Sequence, residues 1–201
     1  MHFSSHDISP EMAYKLLVSI IVPRPIAFVT SMDVEGNLNG APFSFFNAMG
    51  SKPPVIVLGF QPHADGRQKD TPNNILSTEE FVVNIVDEPL AQQMNICASK
   101  HPPEVDEIAL AKLATVPSLG VKPPRLKASP AGLECRLFEH VALAGGGKII
   151  IGEILHFHLR DDAVSQMDPL RIDINKLAPI SRLNGPSYGR ITDQFEIERP
   201  K

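Results

Sequence analysis

The chain is poor in cysteine and in net charge, and it contains no long apolar run. Its two cysteines, Cys97 and Cys135, lie far apart and match no metal-ligand or redox spacing. Isolated thiols of this kind are expected to be reduced, in a cytoplasmic protein. A formal net charge of −4 and a pI near 6.0 exclude a broad nucleic-acid surface or an electrostatic membrane-surface role. The longest early apolar run, Leu16 to Val22, is interrupted by Ser19 and is far too short to cross a bilayer. Met1 to Asp7 lack the basic start and apolar core of a secretory signal. The expectation is a chain with neither nucleic-acid nor membrane partners.

What is present is ordinary globular composition with an excess of proline. Hydrophobic residues make up 43% of 201 residues, enough for one substantial core without staples. Nineteen prolines favour extended segments and stiff loops over a helical bundle. No internal repeat or low-complexity linker divides the chain. A single domain over 1–201 is expected, with an N-terminal arm (1–9), a surface excursion (100–130) and a C-terminal extension (160–201).

The stretch Asn39–Pro54 organises the reading. Ala41, Phe43 and Phe45 alternate with Gly40, Pro42, Ser44 and Phe46, which predicts a strand with one face in a core. Ser44 and Asn47 then sit on the other face, Asn47 where the alternation stops. Ala48, Gly50 and Ser51 would let a ligand approach the backbone; an ordinary edge strand with a proline turn fits the same pattern.

Ser9-Pro10 predicts a helix start, with Ser9 as N-cap, and Ile26–Ser31 predicts a central strand. Val55–Phe60 reads as a continuously buried strand, and Phe81–Val86 as another in which Asn84 needs hydrogen-bond partners. Between them, Gln61–Asp70 is a polar loop with Arg67 and Lys69, followed by Thr71-Pro72, read as N-cap and first helical position. A helix N-terminus beside two cations suits a phosphate, and equally a solvated loop before a well-capped helix. A helix is also expected over Glu88–Asn95, and a short amphipathic piece over Glu107–Leu113. Ala131–Ala144 and Lys148–Leu159, joined by three glycines, form the strongest hairpin signal. Gly147-Lys148 is no P-loop, because Ile149 replaces the hydroxyl residue. His156 and His158 share a strand face but lack a third ligand, so no metal site is expected.

Taken together, several stretches resemble the flavin reductase-like family with the FMN-binding split β-barrel. They are Arg24–Ser31, Asn39–Pro54, Arg67-Gln68-Lys69-Asp70-Thr71, Phe81–Asn84, Gly132–Cys135 and Ile151-Gly152-Glu153. The order and spacing of these pieces carry the resemblance, and the K-D-T phosphate motif places it in one branch. The resemblance implies a mainly β fold, a Greek-key split barrel with peripheral helices, assembled as a homodimer. It implies FMN as cofactor, with FAD also compatible, and NAD(P)H as reductant. Thr30, Ser31 and Met32 would follow the flavin and its ribityl chain. Phe46, Asn47 and Ala48 would meet the isoalloxazine, with Ser44 on the same strand. Arg67, Lys69, Asp70 and Thr71 would hold the phosphate, Asp70 through its backbone N–H. No side-chain acid or base is required; His140 is the candidate near the nicotinamide, a structural or solvent-facing histidine the competing reading. The implied activity is NAD(P)H:flavin oxidoreductase, with hydride delivered to flavin N5 and electrons passed to a small-molecule acceptor, an oxygenase or a redox protein. A flavin-bound electron carrier without a nicotinamide site is the alternative, and a barrel with a degenerate flavin site a third.

Overall fold

The structure is a computed structural model that describes residues 1–99, 101, 102 and 105–200. Part of the expected excursion (100–130), namely Lys100, Pro103 and Glu104, lies outside the described residues.

The chain opens with α1 (Pro10–Ile20), whose start follows the sequence signal: Ser9 Oγ accepts the Met12 N–H at 3.2 Å. Its end is tied down by Arg24, whose Nη1 donates to the carbonyls of Val18 at 2.7 Å and Ile21 at 2.9 Å. These are acceptors that a helix C-terminus leaves without intrahelical partners. There follow β1 (Arg24–Pro25), β2 (Ala27–Met32), β3 (Leu38–Phe43), β4 (Phe46–Ser51) and β5 (Pro54–Phe60). Next come α2 (Asp70–Thr78), β6 (Glu80–Ile85), α3 (Ala91–Ile96), α4 (Glu107–Leu110), β7 (Thr115–Val116) and β8 (Arg125–Leu126). The long hairpin is β9 (Ala131–Ala142) and β10 (Lys148–Leu159). The C-terminal part holds β11 (Val164–Met167), β12 (Leu170–Ile172), α5 (Ile174–Leu177), β13 (Ser181–Arg182) and β14 (Tyr188–Gly189).

Seven strands form one sheet in the order β3-β2-β6-β9-β10-β5-β4, with every neighbouring pair antiparallel. The sheet curls so that β3 also approaches β5, and the β4–β5 ladder extends to Phe45, whose carbonyl accepts the Gly59 N–H at 2.7 Å. The interior is filled by Val29, Phe43, Leu58, Phe60, Phe81 and Ile150, with Phe43 edge-on to Phe60 at 4.6 Å between centroids. A second core packs the outer face of β2 against α3 and α4 through Phe28, Val86, Met94 and Ile108. Because β2 is covered on both faces, its first half, Ala27 to Val29, is apolar without alternation, and the Thr30 and Ser31 that follow are also buried.

Two expectations change here. The stretch Asn39–Pro54 is two strands and not one: it breaks at Ser44-Phe45, and Asn47 sits second in β4. Pro42, lacking an N–H, is accommodated because β3 ends the sheet. Strand β5 is not buried throughout: Ile56, Leu58 and Phe60 face the core, whereas Val55, Val57 and Gly59 are half-buried. A curled sheet buries only the inward set.

In the long hairpin, pairing shifts register at Gly152, which faces Leu137. A Cβ there would collide with the Phe81 ring and lie 3.5 Å from the Cys135 Cβ. Glycine thus marks a bulge where another ring closes on the backbone. Gly152→Ala is expected to cost about 1–3 kcal/mol through overpacking, read as a lowered urea midpoint at unchanged m-value.

The C-terminal extension folds back over the start of the barrel. The Ile180 N–H donates to Val86 O at 2.9 Å, and β13 is the central strand of a three-stranded sheet ordered β1-β13-β14.

Candidate functional site

Two cavities share a wall made of Pro42, Phe43 and Ala98. The first, about 200 Å³, lies between β3, the start of α2 and the α3–α4 segment, where Asn39, Lys69, Asp70, Thr71, His101 and Glu107 line it. Thr71 is not the N-cap of α2. The helix starts at Asp70, and Lys69 occupies the cap position with φ −77°, offering no side-chain acceptor. Thr71 is instead buried in the first turn, where its hydroxyl accepts from Asn39 Nδ2 at 2.8 Å. Asn39 Nδ2 also reaches Ser31 Oγ at 3.4 Å, and Asn74 Nδ2 donates to the same oxygen at 3.2 Å. This chain of amides and hydroxyls fixes the first turn of α2 against β2 and β3. It leaves the positive helix end open to the cavity, with no side chain capping the backbone N–H groups of Asp70 and Thr71 among the described residues.

Lys69 stands beside that helix end, its Nζ 5.3 Å from the centroid of Phe43. Burial holds its pKa below the ordinary lysine value, as expected of a cation removed from water. Across the cavity Glu107 is buried, and its Oε2 accepts the Gly40 N–H at 3.2 Å. Burial pushes its carboxyl up, and the Asp70 charge adds to that. The Nε2 of His101 is buried without a hydrogen-bond partner among the described residues. Cys97 donates to the Glu107 carbonyl at 3.3 Å, and burial raises its thiol to about 12, which makes it a poor nucleophile.

The second cavity, about 160 Å³, lies on the far side of Phe43 among Ile26, Ser44, Met94, Asn95, Arg182 and Tyr188. Ser44 Oγ accepts from Arg24 Nε at 3.3 Å.

The residues singled out in the sequence thus fall into distinct places. Lys69, Asp70 and Thr71 share the first cavity and Ser44 lines the second. Thr30 and Ser31 are fully buried behind β3, and the Thr30 hydroxyl is committed to Pro124 O at 2.6 Å. Met32 lies at the end of β2, beside Gly36 and Thr78. Phe46, Asn47 and Ala48 stand on β4, outside both cavities, the last two exposed. Arg67 is exposed and paired with Asp65 at 2.9 Å. His140 is exposed on β9, and Asn84 is structural, donating to Phe28 O at 3.0 Å and accepting from Leu126 N at 2.8 Å. His158 hydrogen-bonds Glu134 at 2.7 Å; among the described residues no three His, Cys, Asp or Glu side chains are grouped to hold a metal. Sequence reading did not single out Asn39, Glu107 or Arg182 as site residues. Asn39 opens the organising stretch, but nothing local marks it as the partner of Thr71, 32 positions away.

Comparison with known proteins fits this architecture. The flavin reductase like domain matches residues 19–175. Nitrilotriacetate monooxygenase component B of Bacillus cereus superposes with a TM-score of 0.93 at 37% identity, over 98% of each chain. The 2-nitrobenzoate 2-nitroreductase NbaA of Pseudomonas fluorescens superposes with a TM-score of 0.90 at 34% identity, over 100% of this chain and 96% of its own. An uncharacterised protein of Halalkalibacterium halodurans is 36% identical over 100% of this chain and 97% of its own. With this domain match and full-length relatives above 30% identity, the chain belongs to the flavin reductase-like family of flavin-dependent oxidoreductases.

Proposed function

We propose that the chain binds FMN, with the phosphate in the first cavity, and works as an NAD(P)H:flavin reductase. One observation supports this above the others: the uncapped start of α2, the Thr71 hydroxyl and desolvated Lys69 meet in one cavity. A phosphomonoester would satisfy all three at once. Lys69 would bind as the counter-charge and Asp70 through its backbone N–H, since its carboxylate repels an anion. Thr71, whose oxygen accepts from Asn39, would donate its O–H to the phosphate. Arg67, at the exposed mouth of the loop, would join by leaving Asp65, a surface pair worth little by itself.

From that anchor the ligand would run along the shared wall of Pro42 and Phe43, with only its ring edge reaching Ser44 at the border of the second cavity. Thr30, Ser31 and Met32 would support it from behind β3, and Phe46, Asn47 and Ala48 would meet a ring that extends toward β4. When bound, the flavin supplies the hydride-accepting centre and the onward electron transfer. The chain's part is to hold the phosphate, shield one ring face with Phe43 and Pro42, and leave the other face open to NAD(P)H. FAD would enter by the same anchor with its adenylate outside.

The unit proposed is a cytoplasmic homodimer. Leu17 and Ile20 of α1, Ile21 just after it, and Phe138 and Val141 of β9 are exposed, and the end strands of an open sheet need cover. The similarity to a monooxygenase component and to a nitroreductase supports either an oxygenase partner or a small-molecule acceptor. The test is to add FMN with NADH or NADPH and follow nucleotide oxidation. No oxidation of either sinks the reductase reading; bound flavin without nucleotide oxidation would mark an electron carrier.

A further inference from the structure

The second cavity has a chemistry of its own. Arg182 lies on β13 directly opposite Arg24 of β1 and Tyr188 of β14, so three large side chains align across one small sheet. The Arg182 guanidinium lies 4.6 Å from the centroid of the Tyr188 ring, which props it against the cavity without neutralising it. Among the described residues the Arg182 side chain donates one hydrogen bond, to the Ser187 carbonyl at 3.4 Å. Arg24 spends its donors on the carbonyls of Val18, Ile21 and Leu183 and on the Ser44 hydroxyl. The Arg182 guanidinium has no carboxylate partner among the described residues, so one unpaired cation faces a cavity in which Ile26, Phe43 and Met94 supply apolar wall and Ser44 and Asn95 supply polar groups.

Such a site suits a ligand with a flat apolar body and one anionic end. The guanidinium fork matches a carboxylate, and Ile26, Phe43 and Met94 offer apolar contact to a ring. The cavity shares Pro42, Phe43 and Ala98 with the proposed flavin site, which places its occupant beside the cofactor. Arg182 and Tyr188 also lie beyond residues 19–175, the part matched by the family domain. They are thus carried by the C-terminal extension and not by the matched barrel.

We infer that Arg182, propped by Tyr188, is a specificity-determining residue that binds the carboxylate of a planar aromatic co-substrate in the second cavity. This rests on the flavin reading, because it needs the cofactor next door.

The test uses the full chain loaded with FMN and ligand-observed NMR titration with benzoate, benzamide and NADH as probes. Arg182→Gln is expected to weaken benzoate at least about tenfold, the loss of a charge-assisted pair, and to leave benzamide unchanged. Arg182→Lys is expected to recover part of the benzoate affinity, and urea midpoints show whether the variants are folded. Tyr188→Leu, which removes the prop but keeps the charge, is expected to weaken benzoate by a smaller factor. Benzoate bound equally by the wild-type and Arg182→Gln chains, both carrying FMN, overturns this inference alone. Weakening of NADH with no effect on benzoate also overturns it and gives the site to a dinucleotide. A wild-type chain that takes up no FMN overturns the flavin reading and this inference with it.

Discussion

Lys69→Met is expected to weaken FMN binding about 10–100-fold, the loss of one charge-assisted contact of about 1.5–3 kcal/mol, and to leave riboflavin binding unchanged. The contrast follows from where Lys69 stands. Its ammonium is at the uncapped start of α2 and over the face of Phe43, where only the phosphate end of a flavin would reach it. Burial already lowers its pKa, so the ligand-free fold carries the cost of a desolvated cation. Methionine keeps the apolar stem and removes that charge, so the ligand-free variant is expected to be as stable as the wild type or more so. A purely structural lysine would behave in the opposite way: stability would fall, and FMN and riboflavin would weaken together. Titration with both flavins and urea denaturation of the ligand-free chain separate the two.

Glu134→Ala is expected to cost about 3–5 kcal/mol, the loss typical when one member of a buried charged network is removed. Glu134 is 0% exposed, yet its carboxylate accepts the N–H groups of Leu119 at 2.8 Å and Gly120 at 2.7 Å. The His158 ring bonds it at 2.7 Å, and Arg125 Nε lies 3.7 Å away. Alanine would strand two backbone donors and the His158 ring, and release the segment whose Pro124 carbonyl holds Thr30. Burial alone pushes the Glu134 carboxyl up, but the two backbone donors and His158 outweigh it, and the net shift is downward. A depressed carboxylate stabilises the fold above its unfolded value, and that contribution is lost as pH falls through the lower folded value. The wild type is therefore expected to lose stability on the acid side of the ordinary carboxylate value. Glu134→Ala would lack that part of the acid limb, as denaturant midpoints at a series of pH values would record. Hydrogen exchange at Leu119 and Gly120 is expected to quicken in the variant.

Much of the barrel was legible because its signals are local. Ser9-Pro10 announces α1, the glycines after Ala144 announce the β9–β10 turn, and the β-branched runs mark β2 and β6. The misreadings share one physical cause: a tertiary partner decides what the local pattern leaves open. Thr71-Pro72 has the chemistry of a cap, but Asn39 claims the Thr71 hydroxyl and the helix begins two residues earlier. The alternation through Asn39–Phe46 is interrupted because the chain leaves β3 at Ser44 and from Phe45 onward pairs with β5, the Phe45 carbonyl accepting the Gly59 N–H. Glu107 reads as the polar face of an amphipathic piece, and only the fold turns its carboxylate to the Gly40 amide. Arg182 had no legible role, because β1, β13 and β14 meet only across the whole length of the chain.

The central claim is that the start of α2 and Lys69 hold the phosphate of a flavin. Calorimetric titration of the chain with FMN and with riboflavin tests it most directly, because the two ligands differ by that phosphate alone. The account predicts that FMN binds about 100-fold more tightly, near 2.7 kcal/mol. Equal affinities for the two would contradict it.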